Sequence, residues 1–339
     1  MNSRVYETLN AMRGLAAIMV VLFHSDDLLG YQLAPGGYLA VDLFFVLSGF
    51  VIAHAYEHKL AGGELSATRF ALVRIIRFYP LLALGVLIGT AKALSGVVLG
   101  SPTAMPLSDI GVATASSLLL LPAPLDTAGN LFVLNVPLWT LCFELVVNLL
   151  YGALRQRLSS AVLWVIVVLG AAVMAFYAMS FGNNDNGAVV HTAIGGLARA
   201  AFGFALGVLL FRSKLALTIG FAPVLAILAL ALLAPVQETL RPFFDLGFAF
   251  FLAPLLVVTG ASVEPKGSWA RVASYLGTLS FALYAIHHPI LVGSQTISEK
   301  FGIPALAMGT SVLAGLLIAC PILDRFYDAP IRHALRRKF

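Results

Sequence analysis

Charge is scarce in this sequence. Only 11% of its 339 residues are Asp, Glu, Lys or Arg, less than half of the roughly 25% typical of soluble domains. With 60% hydrophobic residues and a mean hydropathy of +0.94, too few polar side chains remain to cover a water-soluble globule of this size. A soluble enzyme is thereby excluded. So is intrinsic disorder, because disordered chains are poor in apolar residues. Cysteine is nearly absent as well. Cys142 and Cys320 fall inside apolar runs and read as small buried hydrophobes, from which neither a disulfide framework nor a zinc cluster can be built. No cleavable leader is expected, since Arg13 and His24 interrupt the first apolar stretch and no small-residue cleavage site follows it. The net charge of +5 is spread over short loops instead of one face, so no nucleic-acid partner is expected. The bilayer must be the solvent.

Ten apolar stretches are each close to the roughly 20 residues that cross a bilayer core of about 30 Å. They lie near 11–29, 37–56, 79–99, 137–154, 160–180, 193–211, 215–234, 241–260, 272–292 and 303–323. The expected fold is therefore all-α, a polytopic membrane helix bundle of about ten transmembrane helices forming one domain over 1–339. Residues 110–121 are apolar but too few to cross, and are expected as a short re-entrant or interfacial helix. Orientation follows from the positive-inside rule. With the N-terminus inside, the inner loops and tails collect 16 of the 21 basic residues, from Arg4 to Lys338, and the outer loops hold only Arg241 and Lys300. Both termini are thus expected in the cytoplasm, in a multi-pass protein of the bacterial inner membrane. The spacings of Gly85 with Gly89 and of Gly203 with Gly207 suit close helix approach. No pair of matched, broken helices marks an inverted repeat, which disfavours a secondary transporter.

Ionisable side chains inside spans are costly unless paired or hydrated, and are candidates for function. The topology brings His24, Asp42, Lys92, Glu144, Arg199 and His287 to a similar depth from six different spans, as in a polar cavity. Arg13 and His24, eleven residues apart, share one helix face about 16 Å apart along the axis. That spacing suits a long ligand with an anionic head and a reactive tip, such as the phosphopantetheine arm of coenzyme A. It also suits an arginine that snorkels to the headgroups beside a hydrogen-bonded core histidine. Arg74 and Arg77, at i and i+3, share a face if their segment is helical, and paired guanidiniums match phosphate oxygens. They equally suit a positive-inside anchor. His54, Glu57 and His58 spell H-x-x-E-H, but at the end of a span with no evident third ligand, so no metal is expected. Ser48 lies in V-L-S-G-F, which is no nucleophile elbow.

These residues resemble the acyltransferase-3 family of bacterial integral-membrane O-acyltransferases over most of the chain. The resemblance rests on R-G-L-A-A-I-M-V-V-L-F-H (13–24), V-D-L-F-F-V-L-S-G-F-V-I (41–52), and R-x-x-R at Arg74 and Arg77 before Tyr79 and Pro80. W-T-L-x-x-E (139–144), L-S-F-A-L-Y-A-I-H-H-P (279–289) and Y-D-A-P-I-R (327–332) follow in the family's order. It implies transfer of an acyl group, usually acetyl, from cytoplasmic acyl-CoA to a hydroxyl of a surface or exported glycan or lipid-linked saccharide. It further implies His24 as catalytic base or acyl relay, Arg13, Arg74 and Arg77 on the coenzyme A side, and Trp139, Tyr284 and His287 among the substrate contacts. Asp42 or Glu144 is expected to orient the His24 imidazole, whose ordinary pKa near 6.5 suits general-base work. Many relatives append an extracytoplasmic esterase-like domain, and this chain is expected to act as a standalone membrane domain or with a partner. About residues 160–265 carry no recognisable signature. A proton-coupled transporter or channel is the competing class, since buried His, Asp and Glu also build proton relays.

Topology reporters fused in each loop test the orientation. Fusions after the last residue and in the 155–159 and 212–216 loops are expected to report the cytoplasm, and those near 182–189 and 234–240 the opposite side.

Overall fold

In a computed structural model, residues 5–101 and 103–337 are described. Arg4 and Lys338, both counted on the inner side, lie outside them. The described residues are 78% helical and contain no sheet, only two isolated bridges. In order the helices are α1 (Glu7–Phe23), α2 (Asp26–Leu29), α3 (Ala40–Ala61), α4 (Ala67–Val98), α5 (Leu107–Leu118), α6 (Leu138–Leu154) and α7 (Ser160–Phe181). They continue with α8 (Ala193–Ser213), α9 (Phe221–Leu233), α10 (Arg241–Gly247), α11 (Ala253–Ser262), α12 (Ser268–Phe301), α13 (Ala305–Leu323) and α14 (Ala329–Arg336). Single π-helical segments, Phe248–Leu252 and Asp324–Asp328, join α10 to α11 and α13 to α14.

Among the described residues, eight helical stretches are long and apolar enough to cross a bilayer, and they coincide with eight of the ten expected spans. The other two are α1, with 17 residues, and α9, with 13, about 25 and 20 Å at 1.5 Å per residue. Helix α9 runs beside α1. Phe221 packs with Ala11 at one end, and at the other the Gly36 N–H donates to the Leu232 carbonyl at 2.9 Å. The stretch expected to stop short of crossing is α5, twelve residues joined to the later part of α4 through Thr90 and Thr114, 2.9 Å apart. Two boundaries differ substantially. Helix α12 runs to Phe301, nine residues past the expected end near 292. The third span begins not near 79 but at Ala67, because the Ser66 hydroxyl accepts the Arg69 N–H at 3.2 Å and caps the helix start. Arg69, Arg74 and Arg77 therefore ride on a continuous helix and not in a loop.

The starts of α1, α4, α7 and α12 and the ends of α3, α6, α8 and α11 gather at one end of the bundle, hereafter the basic end. There Glu57 is held by Arg155 at 2.5 Å and Arg212 at 2.8 Å, and Thr8 donates to the Val263 carbonyl. Helices α1, α4 and α12 run parallel from this end to the far end. Small residues set the helix spacing. A methyl group at Gly207 would overlap the Val46 carbonyl, and one at Gly85 would overlap that of Ala285, so α8 packs backbone to backbone on α3 and α4 on α12.

Proline inside a helix frees the carbonyl four residues earlier, and in an apolar bundle that oxygen needs another donor. Two such oxygens find one from a different segment. Pro289 frees the Ala285 carbonyl, which accepts from Asn135 Nδ2 at 2.8 Å, and Pro321 frees that of Leu317, which accepts from the Tyr275 hydroxyl at 2.9 Å. Asn135 thereby fixes α12 two residues before His287. Replacing it by Leu leaves a buried carbonyl unpaired and is expected to cost about 1–3 kcal/mol, read as a lower thermal midpoint of the detergent-solubilised protein, whereas Tyr275→Phe, at a more exposed site, should cost less.

Candidate functional site

A cavity of about 350 Å³ opens toward the basic end between α1, α3, α4, α6 and α12. Its polar wall is cationic. Arg13 from α1 donates through Nε to the Ser280 hydroxyl at 2.9 Å. Arg74, two turns into α4, points Nη2 at Glu144 Oε1, 3.5 Å away, and Ser48 donates to the same oxygen at 2.7 Å. Arg77 lies over the Phe281 ring, 4.7 Å from its centre, and faces Asp328 at 3.6 Å. Asp328 in turn binds Arg332 at 2.9 Å. Three guanidiniums thus share the cavity wall with a single carboxylate, Glu144, so an anion entering from this end meets a net positive wall. The opposite wall is apolar, formed by Val41, Phe44, Phe45, Leu47 and Val51. The cavity stops at Tyr284, whose hydroxyl meets Thr140 at 2.6 Å.

Beyond Tyr284 lies a histidine cluster. His24, at the end of α1, places Nδ1 3.0 Å from the Val20 carbonyl and 3.2 Å from His287 Nε2. His287 Nδ1 faces the carbonyls of Leu283 at 3.1 Å and Tyr284 at 2.9 Å. Carbonyl oxygens only accept, so the proton of a neutral His287 sits on Nδ1, and its Nε2 is bare. The bare nitrogen must receive a proton from its neighbour, which assigns the His24 proton to Nδ1 as well. His24 Nε2 is left with a free lone pair. The two backbone carbonyls of α12 therefore set the tautomer of a histidine on another helix. His288 completes the cluster, with its ring 5.5 Å from that of His24.

Arg13 and His24 both contact α12, at Ser280 and His287. Ser280, Tyr284 and His287 follow at i, i+4 and i+7, one polar stripe on one face of α12, and it runs beside the stripe of α1. Measured on α12 the two contacts are seven residues, or about 10 Å, apart. On α1 the separation is about 16 Å, and the reach of the arginine side chain makes up the difference.

The six residues expected at one depth divide into separate environments. Asp42 does not approach His24. Its two oxygens receive Arg199 Nε at 3.0 Å and Nη2 at 2.9 Å, with Asn184 Nδ2 at 3.3 Å. Two further Arg199 donors reach the carbonyls of Asn186 and Tyr38, each at 3.0 Å, and Trp139 lies under the guanidinium, 5.6 Å away. All these groups are buried, so Asp42 and Trp139 stand in a closed ion-pair network away from the cavity and the histidines. A second carboxylate extends that network: Asp245 accepts from the Tyr38 hydroxyl at 2.5 Å and the Asn184 N–H at 2.9 Å. Glu144 is in the cavity with Arg74, on its basic-end side, and does not touch His24 either. Glu57, of the H-x-x-E-H stretch, is occupied by Arg155 and Arg212.

Four residues the sequence did not single out take part in this geometry. Ser280 and Thr140 are hydroxyls on ordinary helices, although the i, i+4, i+7 stripe of α12 is a signal for the first. Asp328 lies in a motif quoted above without a role. His288 stood beside His287 in the H-H-P triplet.

Residues 6–325 match the family of the acyltransferase domain. The chain is similar to Protein 2 in picA locus of Rhizobium radiobacter, 38% identical over 51% of this chain and 94% of that protein. It also resembles the peptidoglycan O-acetyltransferase OatA of Listeria monocytogenes, 25% identical over 97% of this chain and 56% of the relative. The putative peptidoglycan O-acetyltransferase YrhL of Bacillus subtilis is 26% identical over 98% and 55%. The chain thus spans little more than half the length of these two relatives. No solved structure matches it.

If the Asp42–Arg199 pair is structural, Asp42→Ala leaves a buried arginine unpaired and should cost about 3–5 kcal/mol, seen as loss of folded protein in detergent. The double variant Asp42→Leu with Arg199→Met is expected to recover much of that loss. Normal stability of Asp42→Ala together with lost acyl transfer would instead put Asp42 in the chemistry.

Proposed function

The chain belongs to the acyltransferase family, and on that premise we propose that it moves an acyl group, acetyl in the first instance, from cytoplasmic acyl-CoA to a hydroxyl of an exported glycan. In this reading the basic end faces the cytoplasm of a bacterium and the protein sits in its inner membrane. The observation that carries it is the pair of parallel stripes on α1 and α12, with Arg13 and Ser280 on the cationic cavity at one end and His24 and His287 at the other. Arg74 and Arg77 receive the phosphates of the donor near the cavity mouth, where charge-assisted contacts are strongest. Arg13 steadies the arm, and the thioester advances toward His24 past Tyr284. That the relatives OatA and YrhL carry O-acetyltransferase in their names supports a hydroxyl acceptor.

The chemical step balances without a further reactant. The acceptor hydroxyl oxygen attacks the thioester carbonyl carbon while its proton passes to His24 Nε2. The carbon–sulfur bond then breaks and the proton goes on to the coenzyme A sulfur, leaving an ester and a free thiol. As His24 becomes an imidazolium, its Nδ1–H points at the bare His287 Nε2, which stabilises the cation where it forms. His287 is thus a positioning residue, and Glu144, which binds Arg74, holds the donor side in place.

His24→Ala is expected to lower transfer of labelled acetyl from acetyl-CoA to glycan by about 10²–10⁴-fold, with folded protein in the membrane and acyl-CoA binding largely kept. The Arg74→Ala, Arg77→Ala double variant should do the opposite. It should weaken donor binding by about 1.5–3 kcal/mol per lost contact in calorimetry on the purified protein. Arg13→Ala should raise the apparent KM for the donor. Near-wild-type transfer by His24→Ala would remove the imidazole from the chemistry.

A further inference from the structure

Helices α4 and α12 are the longest in the bundle, 32 and 34 residues, and both run on past the level at which α1 ends. Their far ends enclose a second cavity, a groove of about 840 Å³. It has no part in the mechanism so far, yet it reaches the histidine cluster. His288 lines it, and the same ring stands edge to face with that of His24, 5.5 Å away. His287 and His288, consecutive on α12, point about 100° apart. One imidazole therefore faces α1 while the next faces the groove.

The walls combine two chemistries. Apolar residues, Ile88 and Ile290 among them, line one part, and Ser95, Ser294 and Thr296 supply hydroxyls. The charges are unequal. Glu299 is engaged by Gln295 Nε2 at 3.1 Å, and Lys300 lies over the Phe301 ring at 5.9 Å. Lys92 lays its stem against Gly293, 3.7 Å from the position a side chain there would take, and makes no ion pair among the described residues. His288 Nδ1 is a buried nitrogen with no hydrogen-bond partner. An ammonium without an ion pair and an imidazole nitrogen without a partner line the same groove, an arrangement for a ligand that brings an anion and a hydroxyl.

We propose that this groove is the acceptor site, and that it takes a saccharide bearing an anionic group, phosphate or carboxylate, with Lys92 holding the anion and His288 directing a hydroxyl toward His24. The proposal rests on the acyl-CoA reading above and names the substrate class of the same reaction. The anion comes either from a phosphate that joins the sugar to a lipid, whose chain the apolar wall accommodates, or from a carboxylate on the sugar itself. Donor and acceptor then approach His24 from opposite ends of the bundle, so neither needs to leave before the other arrives.

The test uses the full-length protein in its own membranes, with saturating [14C]acetyl-CoA and the glycans those membranes contain as probe. Transfer is expressed per molecule of acetyl-CoA bound, which normalises for folding and for the donor side. Lys92→Glu is expected to lower this ratio by at least about tenfold, the loss of one charge-assisted contact, and Lys92→Arg to restore most of it. Gly293→Cys supplies the second measurement. Both native cysteines are buried, so a membrane-impermeant maleimide reaches only the new thiol, and labelling is expected to stop transfer relative to the same protein before labelling. Labelled saccharide should bind an anion exchanger. Recovery in chloroform–methanol identifies a lipid-linked phosphate, and recovery in polymer a carboxylate. Transfer that responds to neither Lys92→Glu nor the maleimide overturns the groove, and a neutral product overturns the substrate class. Wild-type membranes that move no label from acetyl-CoA overturn the donor reading itself, and the groove assignment with it.

Discussion

A charge inside an apolar bundle must find its partner within the bundle, and this requirement organises the whole molecule. Arg199 is the extreme case. It is among the largest fully buried side chains, and it is tolerated because Asp42 offers two oxygens in the plane of the guanidinium and two backbone carbonyls take two further donors. Once made, the pair fixes α3 against α8, along the seam where Gly49 and Gly207 already bring the two backbones together. It also draws in the 184–186 loop. Removing one partner is worse than removing both, so the network holds as a unit.

The same requirement explains why the cavity of the basic end is different. Arg13, Arg74 and Arg77 have only a hydroxyl, a shared carboxylate and a carboxylate already bound to Arg332. Compared with Arg199 they are underpaired, and Arg74 Nε and Arg77 Nη1 stand among the buried nitrogens without a hydrogen-bond partner. The Asp42–Arg199 pair itself is mutually satisfied, although Asn184 Oδ1, Asn186 Oδ1 and Asp245 Oδ1 around it are buried without a partner.

Much of the architecture could be read from hydropathy, because a span is a local property of about twenty residues. All ten expected segments are helical, and α5 stops short as its length requires. The ends of α4 and α12 could not be read that way. Residues 67–78 and 293–301 are polar enough to look like loops, and their helicity depends on a cap at Ser66 and on continuation from the span. The track from Arg13 to His24 was legible for a similar reason, being a periodicity within one helix. Pairing was not. Asp42 and Arg199 are 157 residues apart in the chain, and depth alone cannot tell a carboxylate that faces an arginine from one that faces an imidazole. Asn135 is subtler still, since its partner is a backbone oxygen that exists only because Pro289 follows four residues later.

Helix α12 ties these elements into one device. Its Ser280 touches Arg13 in the basic-end cavity, Tyr284 closes that cavity against Thr140, the carbonyls of Leu283 and Tyr284 hold His287, and Gly293 carries the lysine stem of the groove. Pro289 stands between the two halves. An unbroken ladder would give the Ala285 carbonyl its usual partner and leave Asn135 with none, and the loop before α6 would lose its hold on the segment that bears the histidines. The kink-prone position is therefore tethered on the side facing α4 and α6, where Gly85 lets the backbones meet. Of the two imidazoles just before it, His287 is held by backbone carbonyls through Nδ1, and His288 Nδ1 has no hydrogen-bond partner. The acyl transfer proposed above asks His24 to stay in one tautomer, and a fixed backbone beside an unfilled flank is the arrangement that allows it.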